Sequence, residues 1–68
     1  MEWYRQGDSE HYLMENSTVL ASLKYNGSRW VFNILDGIIV VKSWDFSIEE
    51  EVEGIKVTCE LLYKTRDQ

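Results

Sequence analysis

Hydrophobic and polar residues alternate along the first two thirds of the chain, in segments separated by short turn signals. Alternation with a period of two is typical of β-strands that bury one face. The turn signals are Glu15-Asn16-Ser17, Asn26-Gly27-Ser28 and Asp36-Gly37. The segments between them predict four strands: Glu10–Met14, Thr18–Tyr25, Arg29–Leu35 and Ile38–Phe46. Because the links are as short as those of hairpins, we predict an antiparallel meander.

The last third of the chain allows two interpretations. Apolar residues recur there at helical spacing and predict one buried stripe, formed by Ile48, Val52, Ile55, Cys59 and Leu62. Ser47 would be the N-cap of this helix, and Glu50 would complete a capping box. A strand is the alternative, because apolar residues also alternate at Ile55, Val57, Cys59, Leu61 and Tyr63. We favour the helix, since a strand does not need capping residues.

These elements predict a single α+β domain over residues 1–68, with about four antiparallel strands and one C-terminal helix packed on one face. The alternative is an all-β, five-stranded small barrel. The composition is 44% hydrophobic and includes nine aromatic residues, which provides enough apolar surface for a folded core and excludes intrinsic disorder. A chain of this length buries only about 60% of the surface exposed in its unfolded form, so we expect modest stability.

The predicted sheet carries more apolar residues than one helix can cover. Trp30, Phe32 and Ile34 share one face of their strand, and we assign that face to the helix. The second face would contain Val31, Leu35, Ile39 and Val41. A helix covers only one face of an antiparallel sheet, so two explanations remain open. Either Trp3 and the first strand fold over the second face, or that face binds another protein or a second copy.

The charge of the chain disfavours nucleic acids as partners. Twelve acidic residues against seven basic ones give a net charge of −5, and nucleic-acid affinity comes largely from lysine and arginine. Most of the excess lies in residues 45–68, which hold seven acids and three bases. No apolar run approaches the length of a membrane span and the N-terminus lacks a signal-peptide pattern. We therefore expect no membrane contact and a cytoplasmic location.

Candidate catalytic residues are few. His11 is the only histidine and stands in a polar segment, while Cys59 lies on the apolar stripe, where a thiol behaves as a small hydrophobe. The four glycines are isolated, so the chain has no phosphate-binding loop. The acidic run that begins at Glu49 lacks calcium-loop spacing. We therefore predict a protein that is not an enzyme and that uses no cofactor or metal.

Four segments resemble short phage and prophage accessory proteins of the sheet-plus-helix type. They are Trp3-Tyr4, Val19–Tyr25, Gly27–Ile34 and Phe46–Leu62. The resemblance implies an accessory role in the cytoplasm of a host cell, and some small acidic phage proteins inhibit host enzymes, including CRISPR effectors. It carries no functional residue over to this chain.

The sequence favours a non-catalytic protein-binding accessory protein, with inhibition of a host defence effector such as a CRISPR nuclease as the role that the resemblance implies. The alternative is a structural homo-oligomeric component, such as a small virion or scaffold protein. An acidic surface suits a basic protein partner, and an exposed aromatic side chain would anchor it. The predicted partner-binding residues are Trp44, Asp45, Glu49, Glu50 and Glu53.

Overall fold

The computed structural model describes residues 1–67, which form one antiparallel sheet followed by a helix. The strands are β1 (Glu2–Arg5), β2 (Glu10–Glu15), β3 (Thr18–Tyr25), β4 (Arg29–Asp36) and β5 (Ile39–Ser47), and the helix is α1 (Val52–Lys64). Their order in the sheet is β1-β2-β3-β4-β5. The sheet is an open meander with β1 and β5 at its edges. The predicted α+β class is confirmed, and the closed barrel is wrong.

The three turn signals of the sequence mark the three hairpins from β2 to β5. Asn16 and Ser17 both adopt positive φ, at 50° and 67°, as the tight turns that match strand twist require. Gly37 does the same at 63° between β4 and β5. In this hairpin only Gly37 and Ile38 separate the two strands. Short loops therefore fix the pairing of the last four strands.

Strand β1 is an addition to the predicted sheet. It pairs with β2, with Trp3 opposite Leu13 and Tyr4 opposite Tyr12, so the first residues extend the sheet instead of folding over its second face. The Trp3 indole N–H donates to Glu60 Oε2 at 3.3 Å. The Lys56 ammonium lies 5.7 Å from the centre of the same ring. Trp3 thus ties the edge of the sheet to the helix.

The predicted helix exists, but its predicted start is wrong. Ser47 is the last residue of β5, and Glu51 occupies the N-cap position without a side-chain capping bond. The Ser47 hydroxyl oxygen accepts a hydrogen bond from the Glu49 backbone N–H at 3.2 Å. The Ser47 backbone carbonyl accepts one from the Glu50 N–H. The hydroxyl therefore stabilises the turn after β5. Ile48 lies in this turn, exposed, and does not belong to the buried stripe.

The core lies between the helix and one face of the sheet. Its buried apolar members are Leu13, Ala21, Leu23, Phe32, Ile34, Ile55 and Cys59. The aromatic ring of Trp44 packs beside that of Phe32, with their centres 5.8 Å apart. The assignment of Phe32 and Ile34 to the helix side is therefore confirmed. Ile55 and Cys59 provide the helix half of the core, which confirms their place on the buried stripe.

Burial makes the Cys59 thiol unreactive in the folded protein. Burial, and then the negative charge of Glu60, raise the pKa of Cys59 to about 12, and thiol reagents attack the thiolate. We expect no labelling of the native chain and rapid labelling in denaturant. Cys59→Ser should also cost about 1–3 kcal/mol, because it buries a hydroxyl without a partner. Stoichiometric labelling of the folded protein would show that the thiol is exposed.

A bulge in β5 changes which residues share the second face of the sheet. Ile34 pairs with Lys42, but the next residue, Leu35, pairs with Val40, so Val41 is the extra residue. Val40 therefore lies on the second face with Leu35, and Ile39 lies on the helix side, opposite Asp36. The strict alternation predicted for this strand, and with it the placement of Ile39 on the second face, is wrong.

The second face is a mixed surface. The hydroxyl of Tyr12 donates to Glu10 Oε1 at 2.7 Å, and the Lys24 ammonium lies 5.6 Å from the centre of the Tyr12 ring. Farther along the sheet, the Ser43 hydroxyl donates a hydrogen bond to Asn33 Oδ1 at 2.7 Å. These polar groups separate the apolar side chains, so the second face is not one continuous apolar patch.

Candidate functional site

Four exposed apolar residues of the chain are consecutive. Ile38, Ile39, Val40 and Val41 are 98%, 64%, 50% and 54% exposed, and we call this group the apolar tip. It forms the turn between β4 and β5 and the first residues of β5. Single exposed apolar residues are ordinary in small proteins, whereas several exposed at one place mark an interaction surface. Ile39 and Val40 lie on opposite faces of the sheet, so the apolar tip surrounds the end of this hairpin and is not a patch on one face. The apolar tip is therefore the first candidate site.

The apolar tip continues into an unpaired strand edge. Within residues 1–67, β5 pairs only with β4, so one side of this nine-residue strand presents free backbone N–H and C=O groups. The opposite edge of the sheet is β1, which has four residues. A long edge provides more hydrogen bonds for an added strand than a short one. We call the apolar tip together with the free side of β5 the edge surface.

A shallow cleft of about 400 Å³ adjoins the edge surface at the end of the helix. Its walls are provided by β4, β5 and the C-terminal end of α1, and include Leu35, Val41 and Tyr63. The Lys42 ammonium donates to the Arg66 carbonyl there, and the Arg66 guanidinium lies 3.9 Å from the centre of the Tyr63 ring. Asp36 and Asp67 also line it, so the cleft adds apolar groups and charges of both signs beside the apolar tip.

The predicted partner-binding residues do not form one surface. Trp44 lies on the helix side of β5, half-buried against Phe32. Asp45 is opposite Val31, on the other side of the sheet, and pairs with Arg29 at 3.4 Å. Trp44 and Asp45 therefore point in opposite directions. Sequence reasoning placed them together because they are adjacent in the chain, but adjacent strand residues face opposite sides.

The remaining predicted residues lie where β5 leads into the helix. Glu49, Glu50 and Glu53, together with Glu51 between them, are all exposed, and we call these four the acidic end. Glu53 pairs with Lys56 at 3.2 Å, whereas the other three carboxylates have no cationic partner among residues 1–67. Ile48, 55% exposed, precedes them in the turn. The acidic end is a source of negative potential beside a single apolar side chain, and Trp44 is not part of it.

The helix has a second, smaller exposed apolar feature. Val57 and Leu61 are 67% and 62% exposed, one turn apart on the side opposite Ile55 and Cys59. Their spacing is a consequence of the helical repeat. Two side chains present less apolar surface than the apolar tip, and they lack a neighbouring strand edge. These two residues are therefore the natural control for experiments on the edge surface.

His11 belongs to the core. It is 3% exposed on β2, opposite Leu23, and its ring centre lies 5.7 Å from that of Trp30. Its Nδ1 atom has no hydrogen-bond partner within residues 1–67. Burial, and then the positive charges of Lys56 and Arg5, lower the pKa of His11 below 6.5, while Glu53 and Asp8 oppose this shift. The folded protein therefore favours a neutral imidazole.

This neutral imidazole predicts a pH dependence of stability. Because the pKa of His11 is lower in the folded chain than in the unfolded chain, the unfolded chain binds the proton first as the pH falls. The free energy of unfolding should decline below about pH 6.5, by up to about 1.4 kcal/mol per pH unit, until the folded-state pKa is passed. Urea unfolding at about pH 7.5 and 5.5 measures this decline. An equal decline in His11→Gln would show that another group causes it.

The described residues contain no cluster of three or more histidine, cysteine, aspartate or glutamate side chains arranged to hold a metal ion. Their helix is too short and too polar to cross a membrane. Comparison of the chain with protein families, with curated proteins and with solved structures found no match.

Proposed function

We propose that this protein is a non-catalytic protein-binding domain and that the edge surface is its binding site. The observation that carries the proposal is the apolar tip, four consecutive apolar residues that are each at least half exposed. Burying them against a partner is favourable by about 25 cal/mol for each Å² of apolar surface removed from water. The adjoining free edge of β5 offers directional backbone hydrogen bonds to the same partner.

The acidic end supplies charge at the other end of β5. Three exposed carboxylates without cationic partners among residues 1–67 raise the rate at which a positively charged surface approaches, and salt screens this effect. Such rim charges alter association more than dissociation. The acidic end therefore determines which partners associate rapidly, while the edge surface determines how slowly they dissociate. The host-defence target implied by the phage-like resemblance stays a prediction.

A structural component that pairs with itself is the second candidate function. The nine-residue length of β5 favours it, because a long free edge pairs readily with an identical edge. Both candidates use the same surface and differ in the identity of the partner.

Photo-crosslinking from a defined position tests the proposed binding site. A benzophenone amino acid replaces Val40 in one variant and Val57 in the control variant, because both valines are exposed and only Val40 lies on the edge surface. The variants are irradiated in the cells that naturally carry the chain. We expect polypeptide adducts, to this chain or to another, from position 40 and few from position 57. Adducts from neither position, or only from position 57, would contradict the proposal.

A further inference from the structure

We infer that the edge surface pairs with a second copy of itself, so that two β5 strands join antiparallel and two sheets become one. This inference rests on the proposed function and names the partner of the same surface. Its starting point is that β5 offers an unpaired edge of nine residues. Proteins block such edges with charged side chains, with proline, with β-bulges or with short strands.

The blocking features of β5 are two charged residues and one bulge. The chain contains no proline, and the only charged residues of β5 are Lys42 and Asp45. Lys42 donates to the Arg66 carbonyl, and Asp45 pairs with Arg29 on the neighbouring strand. Both charges are therefore held toward their own sheet. The bulge at Val41 bends the strand, but the residues from Lys42 to Ser47 form a regular ladder with β4. Within residues 1–67 no strand pairs with their free side.

The two charges restrict the register of pairing between copies. A two-fold axis perpendicular to the sheet keeps each side chain on its own face. Residues directly opposite each other must also share a face, so the axis lies midway between the two copies of one β5 residue. We name each axis by that residue. An axis at Lys42 would place two ammonium groups directly opposite each other, and an axis at Asp45 would place two carboxylates opposite each other. Like charges in direct opposition are destabilising. Axes at Ser43 and Trp44 avoid both conflicts, and axes nearer either end of β5 would pair fewer of its residues.

Both remaining registers bring Lys42 against an aromatic ring of the second copy. With the axis at Ser43, Lys42 lies opposite Trp44 of the second copy, and with the axis at Trp44 it lies opposite Phe46 of the second copy. Lys42, Trp44 and Phe46 share the helix side of the sheet. The Lys42 ammonium has three N–H donors, so it can keep its bond to Arg66 while it approaches the ring. Cation–π attraction therefore forms twice, once on each side of the axis.

The same arrangement also keeps the two acidic ends apart. Antiparallel pairing around Trp44 places the two Ser47 residues about six positions apart, or ~20 Å, which exceeds the screening length of roughly 8 Å at physiological salt. The two acidic ends that follow Ser47 therefore repel weakly. Each apolar tip instead runs toward the end of β5 in the second copy, where Ile48 is exposed. Antiparallel pairing thus brings exposed apolar residues together and keeps like charges apart.

Sedimentation of the purified chain over a range of micromolar concentrations tests the inference. We expect a monomer–dimer equilibrium that Val41→Lys shifts toward monomer by at least about tenfold, because an added charge blocks edge pairing. The matched control is Val57→Lys, the same substitution at an exposed position on the helix, which should leave the equilibrium unchanged. Thermal melting confirms that each variant folds, and Val40→Lys replaces Val41→Lys if the latter does not.

Each result decides the inference. A wild-type chain that stays monomeric at all concentrations would overturn it, and so would equal weakening by Val41→Lys and Val57→Lys. The proposed function fails separately. A monomeric chain that still crosslinks from position 40 to a foreign protein keeps the edge surface as a binding site and excludes self-pairing. A monomeric chain with no adducts from position 40 overturns both.

Discussion

Phe32→Ala is expected to unfold the domain at room temperature. Phe32 is fully buried at the centre of β4, between Leu23 on β3 and Trp44 on β5. Replacing a buried phenylalanine with alanine costs about 3–5 kcal/mol, since apolar burial is lost and a cavity remains. A core of this size rarely provides more than about 3–5 kcal/mol of net stability. The loss therefore equals the whole expected stability of the domain.

Far-UV circular dichroism and urea titration of the variant measure this effect. The matched control is Phe32→Leu, which keeps most of the volume and should cost less than about 1.5 kcal/mol. A folded Phe32→Ala variant with an almost unchanged melting temperature would mean that Phe32 is exposed and that the core lies elsewhere.

Ile55→Ala should destabilise the protein by about 2–5 kcal/mol, whereas Val57→Ala should be close to neutral. Ile55 is 1% exposed and is the first buried residue along α1, while Val57 lies on the opposite side of the helix. Alanine is also a better helix former than valine by a few tenths of a kcal/mol, which offsets the little packing that Val57 makes. Chemical denaturation of the two variants gives the comparison directly.

The comparison also tests the placement of the helix. If the last third of the chain were a strand, Ile55 and Val57 would lie on the same face, because strand residues two positions apart do so. The two substitutions would then have similar effects on the free energy of unfolding. Unequal effects support the helix, and equal effects would contradict it.

Local chemistry predicted the hairpins and the existence of the helix. The pairs Asn26-Gly27 and Asp36-Gly37 indicated turns because few other residues accept the backbone angles of tight hairpins. The stripe through Ile55 and Cys59 predicted the buried side of the helix because its spacing follows the helical repeat. These features depend on neighbours in the sequence, which is why they could be predicted from the sequence alone.

Other features depend on pairing between distant residues and were missed or misplaced. Strand β1 has only four residues and exists because β2 offers it an edge. Ser47 has the chemistry of a helix cap, but pairing with Arg29 extends β5 to this residue, so its hydroxyl stabilises a turn instead. The bulge at Val41 leaves no local signal, because it appears only in the register with β4.

The candidate site shows the same division. The acidic end is visible in the composition of the sequence, and its carboxylates are exposed as expected. Trp44 and Asp45 are adjacent in the chain, but strand geometry separates them. The apolar surplus of Ile39 and Val41 is visible in the sequence, but its place at a sheet edge is not. An edge is defined by the absence of a neighbouring strand among the described residues, which no local pattern reveals.

Amide hydrogen exchange along β5 tests most directly whether its free edge is the surface that binds another chain. In the isolated chain at high dilution, the β5 amides that are not bonded to β4 should exchange rapidly with solvent. On association, with a second copy or with a crosslinked partner, the same amides should become protected, while those of β1 and α1 keep their rates. Unchanged exchange of the β5 amides on association, or protection already present at high dilution, would contradict the account.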